Sequence, residues 1–307
     1  MLTVYFNNFY QMTKEENNAY INFFKLIFND NIIQIYNKNA DILCESIFGN
    51  ESLINYKKYK YSFLISFENE LINKKYVDKF SCILSGFTGL NNMIILPYFY
   101  WRLMETNIKI FNPINKIPIK NIGAVISNGN SIRNNILKKL HENIQIDFGG
   151  KFMNNIPKVD GYHWDNSLIE FYKQYKFGIA FENSIGEYYI TEKIFNIFKA
   201  GIIPIYFGTT KINEYINPKR FIQIKDDSDN EINRVVNIIN NMTDLEYMKI
   251  INEPVLIKPF DITFNQIISD IQNKLLINNN DIISQLNVIK PFSDDYIKNI
   301  INNINNN

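Results

Sequence analysis

The chain has 307 residues with 46% hydrophobic and 15% aromatic content, enough apolar material for one large or two medium domains that need no staples. Its 32 Lys and Arg balance 31 Asp and Glu for a net charge of +1, which gives no global electrostatic case for a nucleic-acid or membrane-surface binder and leaves room for a local basic pocket. Cys44 and Cys82 are too few and too far apart for a disulfide scaffold or a CxxC site, and His141 and His163 offer too little for a zinc centre, so any metal would sit on carboxylates.

The longest apolar run, 93–101, falls short of the roughly 18 residues a spanning helix requires, and Asn7 and Asn8 interrupt the N-terminal run almost at once. The sequence therefore reads as a cytoplasmic chain with no signal peptide, no membrane span and reduced cysteines. Residues 2–6 are short, apolar and β-prone, and Thr13 with Glu16 has capping-box spacing ahead of a helical pattern through Phe28. β-prone runs at 31–36, 61–66 and 80–84 are separated by polar segments, which predicts a parallel sheet with crossover connections. The aromatic stretch 98–112, with Pro113 and Pro118 after it, breaks the rhythm and predicts a linker over 111–121.

From Gly123 the alternation resumes: strand 123–127, helix 131–142, strand 144–148, helix 167–175, strand 177–181, helix 191–199, strand 202–206, a short helix 211–215, strand 221–224 and helix 227–240. The pattern is α/β, two doubly wound halves with a cleft between them. We divide the chain into a first half, 1–115, a second half, 116–275, and a helical, Asn-rich tail, 276–307.

Three segments carry chemistry. In FENSIGEYYITEK, 181–193, a buried strand runs into a glycine-containing loop and a helix capped by Thr191, with Glu192 and Lys193 in the first turn. Lys is unfavourable beside a helix N-terminus unless it meets an anion such as a pyrophosphate; the same residues also read as a solvated Glu-Lys pair. In SNGNSIRNNIL, 127–137, Arg133 falls early in a helix after a strand-end loop, and its planar fork suits phosphate oxygens, although one helical arginine is commonly a surface residue. In SFENE, 66–70, Glu68 or Glu70 at a strand end could serve as a general base or as plain solvated loop. A fourth pattern, Asp227-Ser-Asp229, could hold a divalent cation, but Asp227 or Ser228 also suits the N-cap of the following helix, and capping takes precedence.

The segment 181–193 followed by AGIIPIYFGTTKINEYINPKRFIQI, 200–224, resembles the signature of the α-1,3-fucosyltransferase family, especially its soluble bacterial members. SNGNSIRNNILKKL, DFGGKFMNNI and FYKQYKFGIAFEN resemble consecutive family blocks, and SFENE resembles the acidic motif of the family's first domain. The resemblance implies a GT-B fold of two Rossmann-like domains, an inverting mechanism, GDP-fucose as donor and a glycan hydroxyl as acceptor, with α-1,3 linkage. It assigns Arg133 and Lys193 to the donor pyrophosphate, Asn183, Tyr189 and Glu192 to the nucleotide-sugar site, and Glu68 to the base. It requires no cofactor, and a divalent cation would be non-essential. Departing GDP gains negative charge that fixed cations stabilise most in the transition state, in agreement with the residues themselves. Phe67 stands where a glycine commonly precedes the acidic residue. Two other readings share the same residues: transfer from a different nucleotide sugar, and a glycan-binding protein on a decayed transferase scaffold.

Overall fold

The computed structural model describes residues 1–48, 58–69, 79–86, 93–105, 114, 116–129, 131–159 and 166–277. In the first half β1 (Leu2–Asn7), β2 (Ile32–Gln34), β3 (Ile42–Ser46), β4 (Tyr61–Ser66), β5 (Cys82–Ser85) and β6 (Met93–Ile95) form one sheet in the order β2-β1-β3-β4-β5-β6, every pair parallel. In the second, β7 (Lys120–Ala124), β8 (Ile146–Phe148), β9 (Tyr175–Phe181), β10 (Ile203–Phe207) and β11 (Ile222–Gln223) pair in parallel as β11-β10-β9-β7-β8. Each sheet grows first to one side of its founding strand and then to the other. The reversal falls between β1 and β3 in the first sheet and between β7 and β9 in the second. Where connections depart to opposite sides, a crevice opens at the carboxyl ends of the strands.

The central strands read ILCES, YSFLIS, CILS and IPIYF and are buried on both faces, so their sequences show apolar runs and no inside-outside alternation. Helix α1 (Lys14–Phe28) starts as the spacing predicts: Thr13 Oγ1 accepts from Glu16 N at 3.1 Å and Glu16 Oε2 accepts from Thr13 N at 2.7 Å. It ends at Asn29 in the left-handed region, φ 48°.

Sequence reading passes over β3 and β6, which are too short for a period of two to declare itself, and it treats the start of α2 (Tyr98–Glu105) as a break in rhythm. The aromatic run is in fact a core helix. Pro97 precedes it where a missing N–H costs nothing, and its carbonyl accepts from Tyr100 N at 3.0 Å. Trp101 stacks on Tyr20 at 4.3 Å between ring centroids and meets Phe23 edge-on at 5.3 Å, fixing α2 against α1. Of the expected linker, 111–113 and 115 lie outside the described residues, and its end at Lys120 is already strand.

The remaining helices are α3 (Ser131–Asn143), α4 (Asn166–Tyr172), α5 (Glu192–Lys199), α6 (Asp229–Asn241), α7 (Asp244–Asn252) and α8 (Phe260–Lys274). The last of these follows the second sheet in the chain but packs on the first. Gln272 Nε2 donates to the carbonyls of Ile27 at 2.9 Å and Leu26 at 3.3 Å, the open end of α1, and Phe264 meets Phe23. One apolar core joins the two halves, running from Phe23, Phe63 and Trp101 through Ile194 and Phe198 to Phe264 and Ile271. The outer faces of the second and first sheets carry separate cores, around Leu137, Phe148 and Val235 and around Leu43, Leu64 and Ile83. Of the expected tail, 278–307 lies outside the described residues, and no described helix is long and apolar enough to cross a membrane.

Candidate functional site

The polar groups of the second sheet converge on its carboxyl edge, beginning with Arg133 at the third position of α3. Its guanidinium spans the switch point: one terminal nitrogen donates to Phe181 O at the end of β9 at 2.7 Å, the other to Asn128 O beyond β7 at 2.8 Å. The side chain is 5% exposed, and its Nε has no partner among the described residues. Burial lowers its pKa, while Glu182 and Tyr189 nearby favour its charge. A rigid fork that holds the carbonyl at the end of β9 and one in the loop beyond β7 is a task a lysine cannot perform.

Glu182 follows Phe181 and is fully buried. Its Oε1 accepts from Thr191 N at 2.8 Å, and its Oε2 accepts from Thr191 Oγ1 at 2.8 Å and from the Lys193 ammonium at 3.1 Å. Thr191 caps α5, as predicted, and its hydroxyl also accepts from Lys193 Nζ at 2.9 Å. Glu192 Oε1 completes the set at 3.5 Å. Burial works against the Lys193 charge, but Glu182, Glu192 and Tyr189 outweigh it and hold its pKa above the ordinary lysine value; burial pushes the Glu182 carboxyl up. The cation that the sequence reads as awaiting an external anion thus has an internal one. Glu182, which lies inside the segment 181–193 but is given no role by the sequence reading, is the residue that places it.

Tyr189 Oη donates to Asn183 Oδ1 at 3.0 Å, bringing two more of the predicted residues together beside Lys193. Burial raises the Tyr189 pKa, opposed by Lys193 and reinforced by Glu182, Glu68 and Glu192. Glu68, exposed beyond β4, is therefore close enough to act electrostatically on Tyr189 from the other half. The segment 183–190 is itself the seam between the halves. Asn69 Nδ2 donates to Ser184 Oγ at 2.5 Å, Tyr188 N to Gly86 O at 2.8 Å and Phe99 N to Ile190 O at 3.1 Å. Gly186 permits this approach, since a Cβ there would lie 2.3 Å from Asn69 Oδ1. Phe67 turns the opposite way from Glu68, into the core against Tyr98 at 5.0 Å and Trp101 at 5.5 Å, which accommodates its bulk in a position where glycine is common. Glu70 lies outside the described residues.

Asp227 and Asp229 lie apart from this cluster. Ser228 takes the N-cap of α6, Asp227 accepts from Asn135 at 2.5 Å and Asp229 pairs with Lys139 at 2.7 Å, which ties α6 to α3. Among the described residues no group of three or more His, Cys, Asp or Glu is placed to hold a metal ion.

Two parallel Rossmann-like sheets with a polar site at the carboxyl edge of the second define the GT-B architecture of glycosyltransferases. The fold matches a crystal structure of an α1,3-fucosyltransferase with GDP at a TM-score of 0.69 and 19% identity, over 90% of this chain and 91% of that one. An α1,3-fucosyltransferase crystal structure with GDP-fucose gives a TM-score of 0.67 at 20% identity, over 91% of each chain. Residues 119–250 match glycosyltransferase family 10 (fucosyltransferase), C-terminal part. Among curated proteins it is 40% identical over 123 residues to the putative fucosyltransferase R654 of Acanthamoeba polyphaga mimivirus, 38% of this chain and 20% of that protein. It is 38% identical over 103 residues to the alpha-(1,3)-fucosyltransferase FucT of Helicobacter pylori, 33% of this chain and 20% of that one. These matches span about a fifth of the length of either relative.

Proposed function

We propose that this chain is an inverting fucosyltransferase that moves fucose from GDP-fucose to a glycan hydroxyl and forms an α-1,3 linkage. The observation that carries the reading is the convergence of Arg133, Lys193, Glu192, Asn183 and Tyr189 at the carboxyl edge of the second sheet, with Glu68 of the first half near enough to act electrostatically on Tyr189. The division near residue 115 into an acceptor-side and a nucleotide-side half is part of the same proposal.

In this reading Arg133 and Lys193 take the pyrophosphate, and Asn183, Tyr189 and Glu192 contact the nucleotide sugar. As the acceptor oxygen bonds to the anomeric carbon, the bond from that carbon to the phosphate oxygen breaks, and GDP leaves with the electron pair. Glu68 takes the acceptor's proton. Charge builds on the departing oxygen in the transition state, where cations already held in place act without reorganisation. The sugar passes through an oxocarbenium-like state, and inversion needs one base on the acceptor side.

Lys193 binds Glu182 and Glu192 in the structure, so pyrophosphate joins an existing network and does not meet a bare cation. A bovine relative, 33% identical over 137 residues, is named 4-galactosyl-N-acetylglucosaminide 3-alpha-L-fucosyltransferase 9, which makes 4-galactosyl-N-acetylglucosamine, with its 3-hydroxyl free, the first acceptor to try. The donor assignment is tested by thermal shift: saturating GDP should raise Tm more than UDP does. A shift with UDP and none with GDP would overturn it.

A further inference from the structure

β4, from whose end Glu68 projects, has β5 on one side and β3 on the other. On the β5 side the segment 183–190 is fastened down, through Asn69 to Ser184 and Gly86 to Tyr188. On the β3 side the register sets Ser46 level with Ile65, so Phe48 leaves its strand at the level at which Phe67 and Glu68 leave theirs. There Phe48 meets Tyr10, which follows β1; the ring centroids are 4.3 Å apart with planes tilted by 32°. These two residues flank the switch point of the first sheet, the counterpart of the position Arg133 spans in the second.

The pair remains in solvent, Tyr10 71% and Phe48 39% exposed, although Phe6, Phe9 and Tyr20 form an aromatic cluster close by in the chain. The turn that presents Tyr10 is built. Asn8 adopts the left-handed region, φ 59°, and its amide donates at 2.7 Å to Glu45, fully buried on β3, which also accepts from Asn7 at 3.3 Å. A fixed turn that holds two rings in water at a crevice, beside the strand end from which Glu68 projects, offers an exposed apolar ring face. Such a surface suits the C–H-rich face of a pyranose.

We propose that Tyr10 and Phe48 form the stacking platform for the acceptor's sugar ring, which enters over the β1–β3 crevice. The inference rests on the fucosyltransferase reading. In-line attack requires the acceptor hydroxyl to approach opposite to the departing GDP with Glu68 beside it. The donor-side segment covers the β4–β5 ends, so the β1–β3 crevice is the approach from the opposite side.

The test is steady-state transfer from GDP-fucose to galactosyl-N-acetylglucosamine by the double variant Tyr10→Ala/Phe48→Ala and by the conservative Tyr10→Phe and Phe48→Tyr. The double variant should raise the acceptor KM by about tenfold or more with kcat within about threefold, while the GDP-induced Tm shift stays as in the parent. The conservative variants should behave as the parent. An unchanged acceptor KM, or a loss of the GDP shift in the double variant, overturns the platform. If the parent consumes GDP-fucose but leaves the disaccharide unmodified, saturation-transfer NMR with methyl β-galactoside replaces the kinetic readout. Saturation that reaches the sugar ring protons from the parent and vanishes with the double variant supports the platform; saturation that persists with the double variant, or that the parent never transfers, overturns it. A parent that neither shifts with GDP nor consumes GDP-fucose fails at the donor site, and the fucosyltransferase reading fails with it.

Discussion

The Lys193 ammonium lies 3.1 Å from Oε2 of Glu182, a carboxylate with no solvent exposure that also holds both the amide and the hydroxyl of Thr191. One buried side chain thus fixes the end of β9, the cap of α5 and the cation in its first turn. Lys193→Ala should weaken GDP binding by about 1 to 3 kcal/mol, the range for a hydrogen bond to a charged group. Glu182→Gln, which never meets the nucleotide in the proposed site, should weaken it as well and lower Tm, because it leaves the ammonium short of its counter-charge. Calorimetry with GDP on both variants checks this; parent-like affinity in Glu182→Gln would show that Lys193 needs no positioning.

The pH dependence follows from the same pair. A cation whose folded pKa is raised contributes stability below its unfolded value and loses it as pH climbs through the folded one, so Lys193 stays charged through the whole range in which the protein would be assayed. Glu182 is also raised, so its ionisation opposes folding, and stability falls as pH climbs from the ordinary glutamate value toward its folded one. Stability and GDP affinity, measured by calorimetry in steps from about pH 6.5 to 9, should show no step assignable to Lys193. A step abolished by Lys193→Arg would contradict the assignment.

Arg133→Lys keeps the charge but cannot hold Phe181 O and Asn128 O at once. It should lower Tm and weaken GDP by about 1 to 3 kcal/mol, as read by thermal denaturation with and without GDP. Full retention of both would mean that a point charge suffices at the switch point.

The carboxylates of Asp227 and Asp229 are engaged with Asn135 and Lys139. The double variant Asp227→Asn/Asp229→Asn should therefore lose only the tie between α3 and α6, a few tenths of a kcal/mol to about 1 kcal/mol, with turnover kept, and EDTA should leave most activity. Activity abolished by EDTA and restored by manganese would assign a cation role to one of them.

How much is legible in the sequence varies with the physics behind each feature. The second half reads almost element by element, because short apolar strands alternate there with amphipathic helices; boundaries move by one to three residues, as where β9 begins at Tyr175. In the first half ILCES and MII are too short to show a period, and α2 hides because its first turn, 98–101, is aromatic on every side and packs at the junction of α1, α5 and α8. The return of α8 to the first sheet is a tertiary choice carried by Gln272 and Phe264, and no local pattern announces it. Arg133, Asn183, Tyr189, Glu192 and Lys193 are visible as residue types at strand ends. The internal salt bridge to Glu182 is not, since a lone buried acid has no spacing signature.

The base remains the step on which fucosyl transfer depends most, and the direct measurement is mass-spectrometric detection of deoxyhexose added to a galactosyl-N-acetylglucosamine acceptor from GDP-fucose. The parent should transfer, and Glu68→Gln should bind GDP as the parent does while its turnover falls by about two to four orders of magnitude, the usual cost of removing a general base. Parent-like turnover in Glu68→Gln would contradict the assignment of the base, and a parent that binds UDP in preference to GDP and adds no deoxyhexose would contradict fucosyl transfer itself.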